Sequence, residues 1–387
     1  MKTLRSGRNR RKWIYVLLLM GLLGLSGCGS PSSASVEMSS QTELVKTGSM
    51  ELQYAENFAV DYYEDGYKML ITLPDSKRYL LVPEGQPVPG GLDEDVSILQ
   101  EPLQNIYLVA SGVMDMFASV DAVDQIRFSG QKQENWYIQT AKDAMAAGDM
   151  IYAGKYSKPD YELLVSEGCD LAIENRMITH SPEVVEMLQS FDIPVMIEYS
   201  SYEQHPLGKV EWVKFFGTLT GKEAEAEEAF AEQTEILEKV ESGEKTGKTI
   251  AFFYVTSNGL IQVRQSTDYI PKLIELAGGR YIFEDLEDSG SGRSTLNMQV
   301  EDFYAGAKDA DILIYNSSID GGVTTLDELI GKCNILKDFK ALQEGQVYCT
   351  TNDMYQQSMA IGYLLQDMHT VLTDDDTAKL RYLFLLQ

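Results

Sequence analysis

The chain has 387 residues, of which 44% are hydrophobic and 24% are charged, and its formal net charge is −27 at pH 7. This composition is ordinary for a globular protein, and the length is sufficient for two domains. The excess of acidic side chains argues against binding to nucleic acid, because Lys and Arg are needed to hold phosphate groups. It also argues against general adsorption to anionic lipid and favours solubility outside the cell.

The N-terminal segment has the pattern of an export signal. Six cations within residues 2–12 precede an apolar segment, 13–25, whose length of about a dozen residues is too short to span a bilayer. The sequence LSGC at 25–28 resembles the lipobox of bacterial lipoproteins. The resemblance implies a signal peptide over 1–27 and a lipid on the Cys28 thiol that anchors the protein at the outer face of the cell membrane. An ordinary secretory signal followed by a chance cysteine is the alternative.

The remaining cysteines are Cys169, Cys333 and Cys349, and no CxxC motif is present. Zinc binding and thioredoxin-like chemistry therefore lack support. Oxidation outside the cell would allow a disulfide between Cys333 and Cys349, and buried thiols are the alternative.

Composition and hydrophobic periodicity divide the mature chain into four parts. Residues 28–50 are rich in Ser, Gly and Thr, which indicates a flexible tether after the lipidated cysteine. Residues 51–205 begin with alternating apolar residues and turn signals, which predict a small β-meander. From residue 105 onwards, short apolar strands alternate with helical segments, which predicts a mainly parallel sheet flanked by helices.

Residues 206–242 are predicted to be a helical stretch that joins two lobes. Pro206 suits a helix start, and Gly221 is expected to divide the stretch into two helices. The alternation of strands and helices resumes over 243–387. We therefore predict an α/β protein of two similar lobes with mainly parallel central sheets, joined by a long helix, with a ligand cleft between the lobes.

Two segments about 140 residues apart echo each other, KPDYELLVSEGCDLAIEN and NMQVEDFYAGAKDADILIYN. Each places a glutamate at the start of a helix, an aspartate before a strand and an asparagine at the end of that strand: Glu162, Asp170 and Asn175 in the first, and Glu301, Asp311 and Asn316 in the second. The helix dipole favours a carboxylate in the first turn, which alone could explain either glutamate. Their matched placement in two lobes favours a functional role.

The sequence resembles the solute-binding lipoproteins of ABC importers of the iron-siderophore, haem and vitamin B12 class. The resemblance covers most of residues 105–370, and it includes IYLVASGVMDMFASVDAVDQI, TDYIPKLIELAGGRYIFED and VEDFYAGAKDADILIYNSS. It implies a rigid joining helix, a ligand in the cleft, and one surface glutamate on each lobe that meets arginines of a membrane permease. Glu162 and Glu301 occupy those positions. Asp302 adjoins Glu301, and the sequence leaves open which of the two docks.

Ligands of open α/β sheets bind beyond the carboxyl ends of the strands. This rule selects twelve candidate ligand-binding residues: Ser111, Lys155, Tyr156, Asn175, Arg176 and Tyr199 in the first lobe, and Ser257, Asn258, Asn316, Ser317, Asn352 and Tyr355 in the second. Arg264 and Arg293 are also candidates, because they are expected to lie in flexible loops of the second lobe from which they could reach inward. Aromatic side chains would supply apolar contact, and Arg and Lys would neutralise an anionic chelate. Arg127 is a further cation near a predicted strand-end loop. A surface ion pair is the alternative for each cation.

No catalytic residues, bound metal ion or resident cofactor are predicted. His180, His205 and His369 share no metal-ligand spacing, although His205 could ligate haem or cobalamin if it does not simply flank the joining helix. The chain has no HExxH motif and no P-loop, and SGSGR at 289–293 lacks the strand and helix of a nucleophile elbow.

The sequence therefore predicts a monomeric, extracytoplasmic, lipid-anchored protein that is not an enzyme. It would capture an iron-siderophore-type chelate and deliver it to an ABC permease. Cobalamin and haem are the alternative ligands within this class, and an extracellular glycosidase is the alternative from another class.

Overall fold

The structure is a computed structural model that describes residues 44–286, 294–317 and 322–387. The described residues all belong to one compact unit, Gln41–Gln387. The predictions for the signal peptide, for Cys28, for most of the tether and for Arg293 lie outside the described residues.

The segment predicted to contain a meander forms a sheet with the order β1-β2-β3-β4-β5. Its strands are β1 (Lys46–Ser49), β2 (Phe58–Tyr63), β3 (Lys68–Thr72), β4 (Lys77–Val82) and β5 (Val96–Gln100). Neighbours are antiparallel except β4 and β5, which are parallel. Because alternate residues point to opposite faces, Leu70 and Tyr79 join the main core, whereas Met69 and Leu80 form a smaller core on the other face.

The first lobe contains a parallel sheet with the order β12-β11-β6-β7-β8. Its elements in chain order are β6 (Ile106–Leu108), α1 (Val113–Ser119), β7 (Ile126–Ser129), α2 (Gln139–Ala147), β8 (Ile151–Tyr152), β9 (Gly154–Lys155), β10 (Lys158–Pro159), α3 (Tyr161–Ser166), β11 (Leu171–Asn175), α4 (Pro182–Ser190) and β12 (Val195–Glu198). Strands β9 and β10 form a separate antiparallel ribbon. The central strands are short apolar runs because helices cover both faces of the sheet.

Two helices follow the first lobe, α5 (Pro206–Thr220) and α6 (Glu223–Glu241). Gly221 ends α5 with a φ of +71°, a left-handed conformation that glycine adopts without strain. Helix α6 folds back along α5, and almost every residue of α5 is buried. The joining stretch is therefore a helical hairpin at the centre of the molecule.

Helix α5 also holds the loop that precedes β2. Glu211 of α5 accepts hydrogen bonds from the backbone N–H groups of Gln53, Tyr54 and Ala55, at 2.8–3.1 Å. Glu203, just before α5, accepts from the N–H groups of the next two residues at 2.9 and 3.0 Å. Both carboxylates are buried and each satisfies several donors, so the N-terminal sheet is fixed to the joining helices.

The second lobe contains a mixed sheet with the order β16-β14-β13-β17-β18-β19, and β15 also pairs with β13. Its elements are β13 (Thr249–Val255), β14 (Ile261–Arg264), α7 (Tyr269–Leu276), β15 (Arg280–Tyr281), β16 (Thr295–Met298), α8 (Val300–Ala307), β17 (Ile312–Tyr315), α9 (Leu326–Lys332), α10 (Lys340–Gln343), β18 (Val347–Thr350), α11 (Ile361–Thr373) and β19 (Leu383–Leu385). Strands β15, β17 and β18 continue the parallel arrangement around β13, whereas β14, β16 and β19 run antiparallel to their neighbours.

The two similar sequence segments occupy equivalent positions in the two lobes. Asp170 accepts hydrogen bonds from the N–H groups of Gln104 and Asn105, both at 2.9 Å, at the start of β6. Asp311 accepts one from the N–H of Thr249, at 2.7 Å, at the start of β13. Asp170 directly precedes β11, which is parallel to β6, and Asp311 directly precedes β17, which is parallel to β13. The two lobes therefore have the same local arrangement of aspartate and strands.

Two further features concern the helices and the cysteines. Among the described helices, none combines the length and apolarity that crossing a membrane requires. Cys333 and Cys349 are buried and are not joined by a disulfide, and the Cys349 thiol donates to the Val323 carbonyl at 3.6 Å. The buried-thiol alternative therefore describes this pair.

Candidate functional site

A cavity of about 530 Å³ lies at the carboxyl ends of β6, β11 and β12, where they face the second lobe. The residues that line it are Ala110, Ser111, Gly112, Asn175, Arg176, Met177, Thr179, His180, Glu198, Ser200, Ser201, Tyr202, Lys209, Tyr355 and Ser358. The first lobe supplies strand-end loops, α5 supplies Lys209, and the second lobe supplies the segment before α11. Parallel topology explains this location, because the carboxyl ends of neighbouring strands meet at one edge of the sheet.

Hydrogen bonds hold the second-lobe segment 353–360 against the first lobe. The Gln356 side chain accepts from the N–H of Tyr137 and donates to the carbonyl of Asn135, both at 2.8 Å. The N–H of Met359 donates to Asp115 Oδ2 at 2.7 Å, and burial raises the pKa of Asp115 to about 6. These contacts position Tyr355 and Ser358, which lie in the same segment, against the cavity.

Four of the predicted ligand-binding residues line the cavity: Ser111, Asn175, Arg176 and Tyr355. The side chain of Asn175 accepts from the N–H of Met177 at 2.9 Å and so begins the helical turn Arg176–His180. The Arg176 guanidinium lies 4.3 Å from the ring centroid of Tyr202. Among the described residues it has no ion-pair or hydrogen-bond partner, so its donors remain available to a ligand.

Arg264 and Asn316 lie behind Tyr355. Arg264 donates to the Tyr355 hydroxyl, and Asn316 Nδ2 donates to the same oxygen at 2.6 Å. Arg264 also pairs with Asp268, at 3.3 Å. The prediction that Arg264 lies in a flexible loop is wrong, because it is the buried last residue of β14. The alternating segment IQVR pairs as a hairpin strand with β13 and β16, which carries Arg264 inward.

Two of the predicted ligand-binding residues are buried in the protein and do not line the cavity. Tyr199 is 6% exposed and packs in the main core, and Tyr202 takes the place at the cavity that was predicted for Tyr199. The helical turn Ser200–Tyr202 accounts for this difference, because it redirects the chain directly after Tyr199. Ser317 is buried, and its N–H donates to Thr350 Oγ1 at 2.9 Å.

The other predicted residues in the described ranges are not among those that line this cavity. They are Lys155 and Tyr156 at the β9–β10 ribbon, Ser257 and Asn258 in the turn after β13, and the exposed Asn352. Arg127, which was expected near a strand-end loop, lies within β7. It donates to the carbonyls of Gly148 and Asp149, both at 2.8 Å, and pairs with Glu167 at 3.3 Å.

Four further residues line the cavity that the sequence did not single out: Lys209, Glu198, Tyr202 and Ser358. Lys209 had a usable signal, since a lysine within the apolar segment PLGKVEWVKFF must be buried or paired. Glu198 ends β12, and its Oε2 accepts from the N–H and the hydroxyl of Ser200 at 2.8 and 2.6 Å. Burial raises the pKa of Glu198.

The three histidines have separate environments. His180 lines the cavity. His205 caps α5, because its Nδ1 accepts from the N–H of Leu207 at 3.1 Å, and its ring stacks on Tyr54 at 4.5 Å. His369 Nδ1 lies 2.9 Å from the Ala277 carbonyl. Within the described ranges, no group of three or more His, Cys, Asp or Glu side chains could hold a metal ion.

The predicted docking glutamates are both exposed. Glu162 lies in the first turn of α3 and Glu301 in the first turn of α8, where Asp302 is exposed beside it. Helix α3 precedes β11 and helix α8 precedes β17, so the glutamates occupy corresponding positions in the two lobes.

No family model matches the chain. Two uncharacterized lipoproteins of Methanocaldococcus jannaschii are similar to it over most of their length. One is 24% identical over 93% of this chain and 92% of its own. The other is 23% identical over 89% of this chain and 90% of its own.

Solved structures of similar fold include the periplasmic heme-binding protein HutB of Vibrio cholerae, with a TM-score of 0.55 and 14% identity over 69% of this chain and 98% of its own. A possible iron-binding, periplasmic solute-binding protein of Staphylococcus epidermidis has a TM-score of 0.54 and 16% identity, over 70% and 98%. An ABC-type Fe³⁺-hydroxamate transport protein of Saccharomonospora viridis has a TM-score of 0.52 and 16% identity, over 70% and 93%. The chain therefore has the fold of the two-lobed periplasmic solute-binding proteins, as predicted.

Proposed function

We propose that this protein is an extracytoplasmic solute-binding lipoprotein that captures an iron-siderophore-type chelate and delivers it to an ABC permease. The observation that carries the proposal is the cavity between the strand ends of the first lobe and segment 353–360 of the second, in the fold of solute-binding proteins. Arg176, Tyr202 and Tyr355 give it the cationic and aromatic surface that suits a bulky anionic ligand. In this role the protein binds without turnover and has no resident cofactor.

The LSGC sequence at 25–28 and the lipoprotein names of the two archaeal relatives support a lipid anchor on Cys28. The protein acts as a monomer, since each lobe presents its own glutamate to the permease. Haem is the second candidate ligand, because one protein of similar fold is a heme-binding protein. Cobalamin is the third, because another is a vitamin B12-binding protein, with a TM-score of 0.50.

The absorption spectrum of the full chain, purified from cells grown in rich medium, tests this function. A broad visible band from ferric catecholate supports the proposed ligand. A Soret band would instead identify haem, and the sharp visible bands of a corrinoid would identify cobalamin. Protein that remains colourless and binds none of the three when they are added would contradict the proposal.

The docking role is tested by the double substitution Glu162→Ala and Glu301→Ala. We expect unchanged ligand affinity, because neither side chain lines the cavity, and loss of ligand uptake by cells. Glu183→Ala with Asp327→Ala is the matched control, since both are exposed carboxylates in the first turn of a helix, one in each lobe. A separate Asp302→Ala variant shows whether Asp302 contributes. Normal uptake by the Glu162/Glu301 variant would refute the docking role.

A further inference from the structure

Lys209 is a buried lysine without a counter-ion. It is 5% exposed and lines the cavity from the first turn of α5. Among the described residues, no carboxylate oxygen lies within 4.0 Å of its ammonium group, and the group donates no hydrogen bond. Its ammonium group lies over the face of Tyr269, 4.7 Å from the ring centroid. A cation–π contact offsets only part of the cost of burying an ammonium group, and within the described ranges this charge has no direct ion pair.

Lys214, further along the same helix, is a buried lysine that does have ion-pair partners. It is buried to a similar extent, with 4% exposure. Its ammonium lies 3.0 Å from Glu227 and 3.6 Å from Glu211. One buried lysine of α5 is therefore paired within the protein, whereas the other faces the cavity.

The acidic and polar groups around Lys209 are engaged elsewhere. Glu198 accepts from Ser200, Asp115 accepts from Met359, and Asp268 is held by Arg264 and by the N–H of Ile270. The Tyr355 hydroxyl accepts from Arg264 and Asn316. Burial accordingly lowers the pKa of Lys209, with the nearby Glu198 and Asp268 charges opposing that effect and Arg264 adding to it.

A second donor without an acceptor lines the same cavity. The Ser358 hydroxyl is fully buried and has no hydrogen-bond partner in the described part of the chain. Arg176, whose guanidinium has only the Tyr202 ring as a close partner in the part of the chain that the structure describes, completes a donor cluster (Arg176, Lys209 and Ser358). Buried donors are normally satisfied, so the two buried donors, Lys209 and Ser358, indicate that an acceptor is supplied from outside, and the half-buried Arg176 lines the same cavity.

We propose that this donor cluster binds the negatively charged oxygens of the ligand, and that the ligand is an anionic chelate bearing catecholate or carboxylate groups. The inference rests on the proposed function and adds to it the charge of the ligand and a contact from the joining helix. Charge-assisted hydrogen bonds from Lys209 and Arg176 would replace the water that these groups lose on burial. The cavity volume suits a ligand of moderate size or one part of a larger chelate.

The test compares Lys209→Met in the full chain with the unsubstituted protein, by titration calorimetry with two ferric chelates. Three dianionic catecholates around Fe(III) leave a negatively charged complex, whereas three monoanionic hydroxamates leave a neutral one. We expect Lys209→Met to weaken binding of the tris-catecholate complex by about 10- to 100-fold. Binding of the tris-hydroxamate complex should change by less than about twofold, because that complex offers no charge to the ammonium group. Ser358→Ala should weaken the catecholate complex less, by about threefold to tenfold.

Thermal unfolding without ligand separates a binding role from a structural one. Lys209→Met should raise the melting temperature, because it removes a buried charge that has no partner. Lys214→Met is the matched control and should lower it, because it leaves Glu211 without its ion pair.

Undiminished binding of the catecholate complex by Lys209→Met would overturn the inference, as would an equal loss for both chelates. A melting temperature lowered as far as that of Lys214→Met would also overturn it, by showing that Lys209 is structural. If the unsubstituted protein binds neither chelate, the proposed function fails, and this inference fails with it.

Discussion

Glu174 is a buried carboxyl group whose two oxygens have no hydrogen-bond partner in the described ranges. It shares its face of β11 with Ala172, which packs against the residues of α3 and α4. Burial raises the pKa of Glu174 from its ordinary value of 4.5 to about 8. The folded protein therefore holds this side chain in its neutral form at pH 7.

This shift makes stability depend on pH. Between pH 4.5 and 8 the unfolded state loses the Glu174 proton and the folded state retains it, so the contribution to the free energy of unfolding falls as pH rises, by about 1.4 kcal/mol per pH unit. Glu174→Gln, which cannot ionise, should gain stability relative to the unsubstituted protein between pH 5 and 8. Denaturant unfolding at several pH values measures this, with the exposed Glu183→Gln as the control. A pH-independent difference would contradict the assignment.

At the scale of elements, the packing of α5 on α6 depends on the absence of a side chain at Gly217. A Cβ there would lie 2.5 Å from the Cβ of Ala226 and 2.9 Å from the Lys222 carbonyl. Helix propensity alone would make Gly217→Ala stabilising, by about 1 kcal/mol. The steric conflict should reverse the sign and destabilise the protein by about 1–3 kcal/mol.

Gly331→Ala is the matched control for this prediction, because Gly331 lies in α9 and has nothing within 4 Å of the added methyl group. It should be neutral or stabilising by about 0.5–1 kcal/mol. Both free energies of unfolding come from denaturant titration. Equal effects at the two positions would show that the helical hairpin can relax around Gly217.

At the scale of the whole molecule, Gln356 supplies two of the hydrogen bonds that join the lobes. Gln356→Ala removes both side-chain hydrogen bonds to Asn135 and Tyr137 and should leave each lobe folded. We expect faster hydrogen exchange at the Tyr137 amide and a loss of ligand affinity of about 5- to 10-fold, because segment 353–360 is then less restrained.

Gln100→Ala is a suitable comparison for Gln356→Ala, since the Gln100 amide donates to the Val82 carbonyl within the N-terminal sheet. It should leave exchange at Tyr137 and ligand affinity unchanged. If Gln356→Ala behaves in the same way, other contacts hold the lobes together.

Local sequence patterns predicted the parts of the fold that depend on local physics. The apolar runs LAIEN and ILIY form β11 and β17, and Gly221 ends α5. The site was predictable only where a loop directly follows a parallel strand, as at Asn175 and Arg176. Lys209 and Ser358 reach the cavity through the packing of α5 and of segment 353–360, which no local pattern specifies. Arg264 was misplaced because four residues of alternating pattern are too few to distinguish a hairpin strand from a loop.

The two tryptophans within the described ranges give the protein built-in fluorophores at informative places. Trp136 lies between the two residues that bind Gln356, and Trp212 lies one turn after Lys209 on α5. Both indoles are at most 1% exposed, and their N–H groups donate to Ser129 and Glu203. Emission from Trp136 therefore reports on the junction of the lobes, and emission from Trp212, whose ring contacts Phe58 of β2, reports on the packing of the N-terminal sheet against α5. Replacing either one with Phe would let each event be followed separately and without an attached dye.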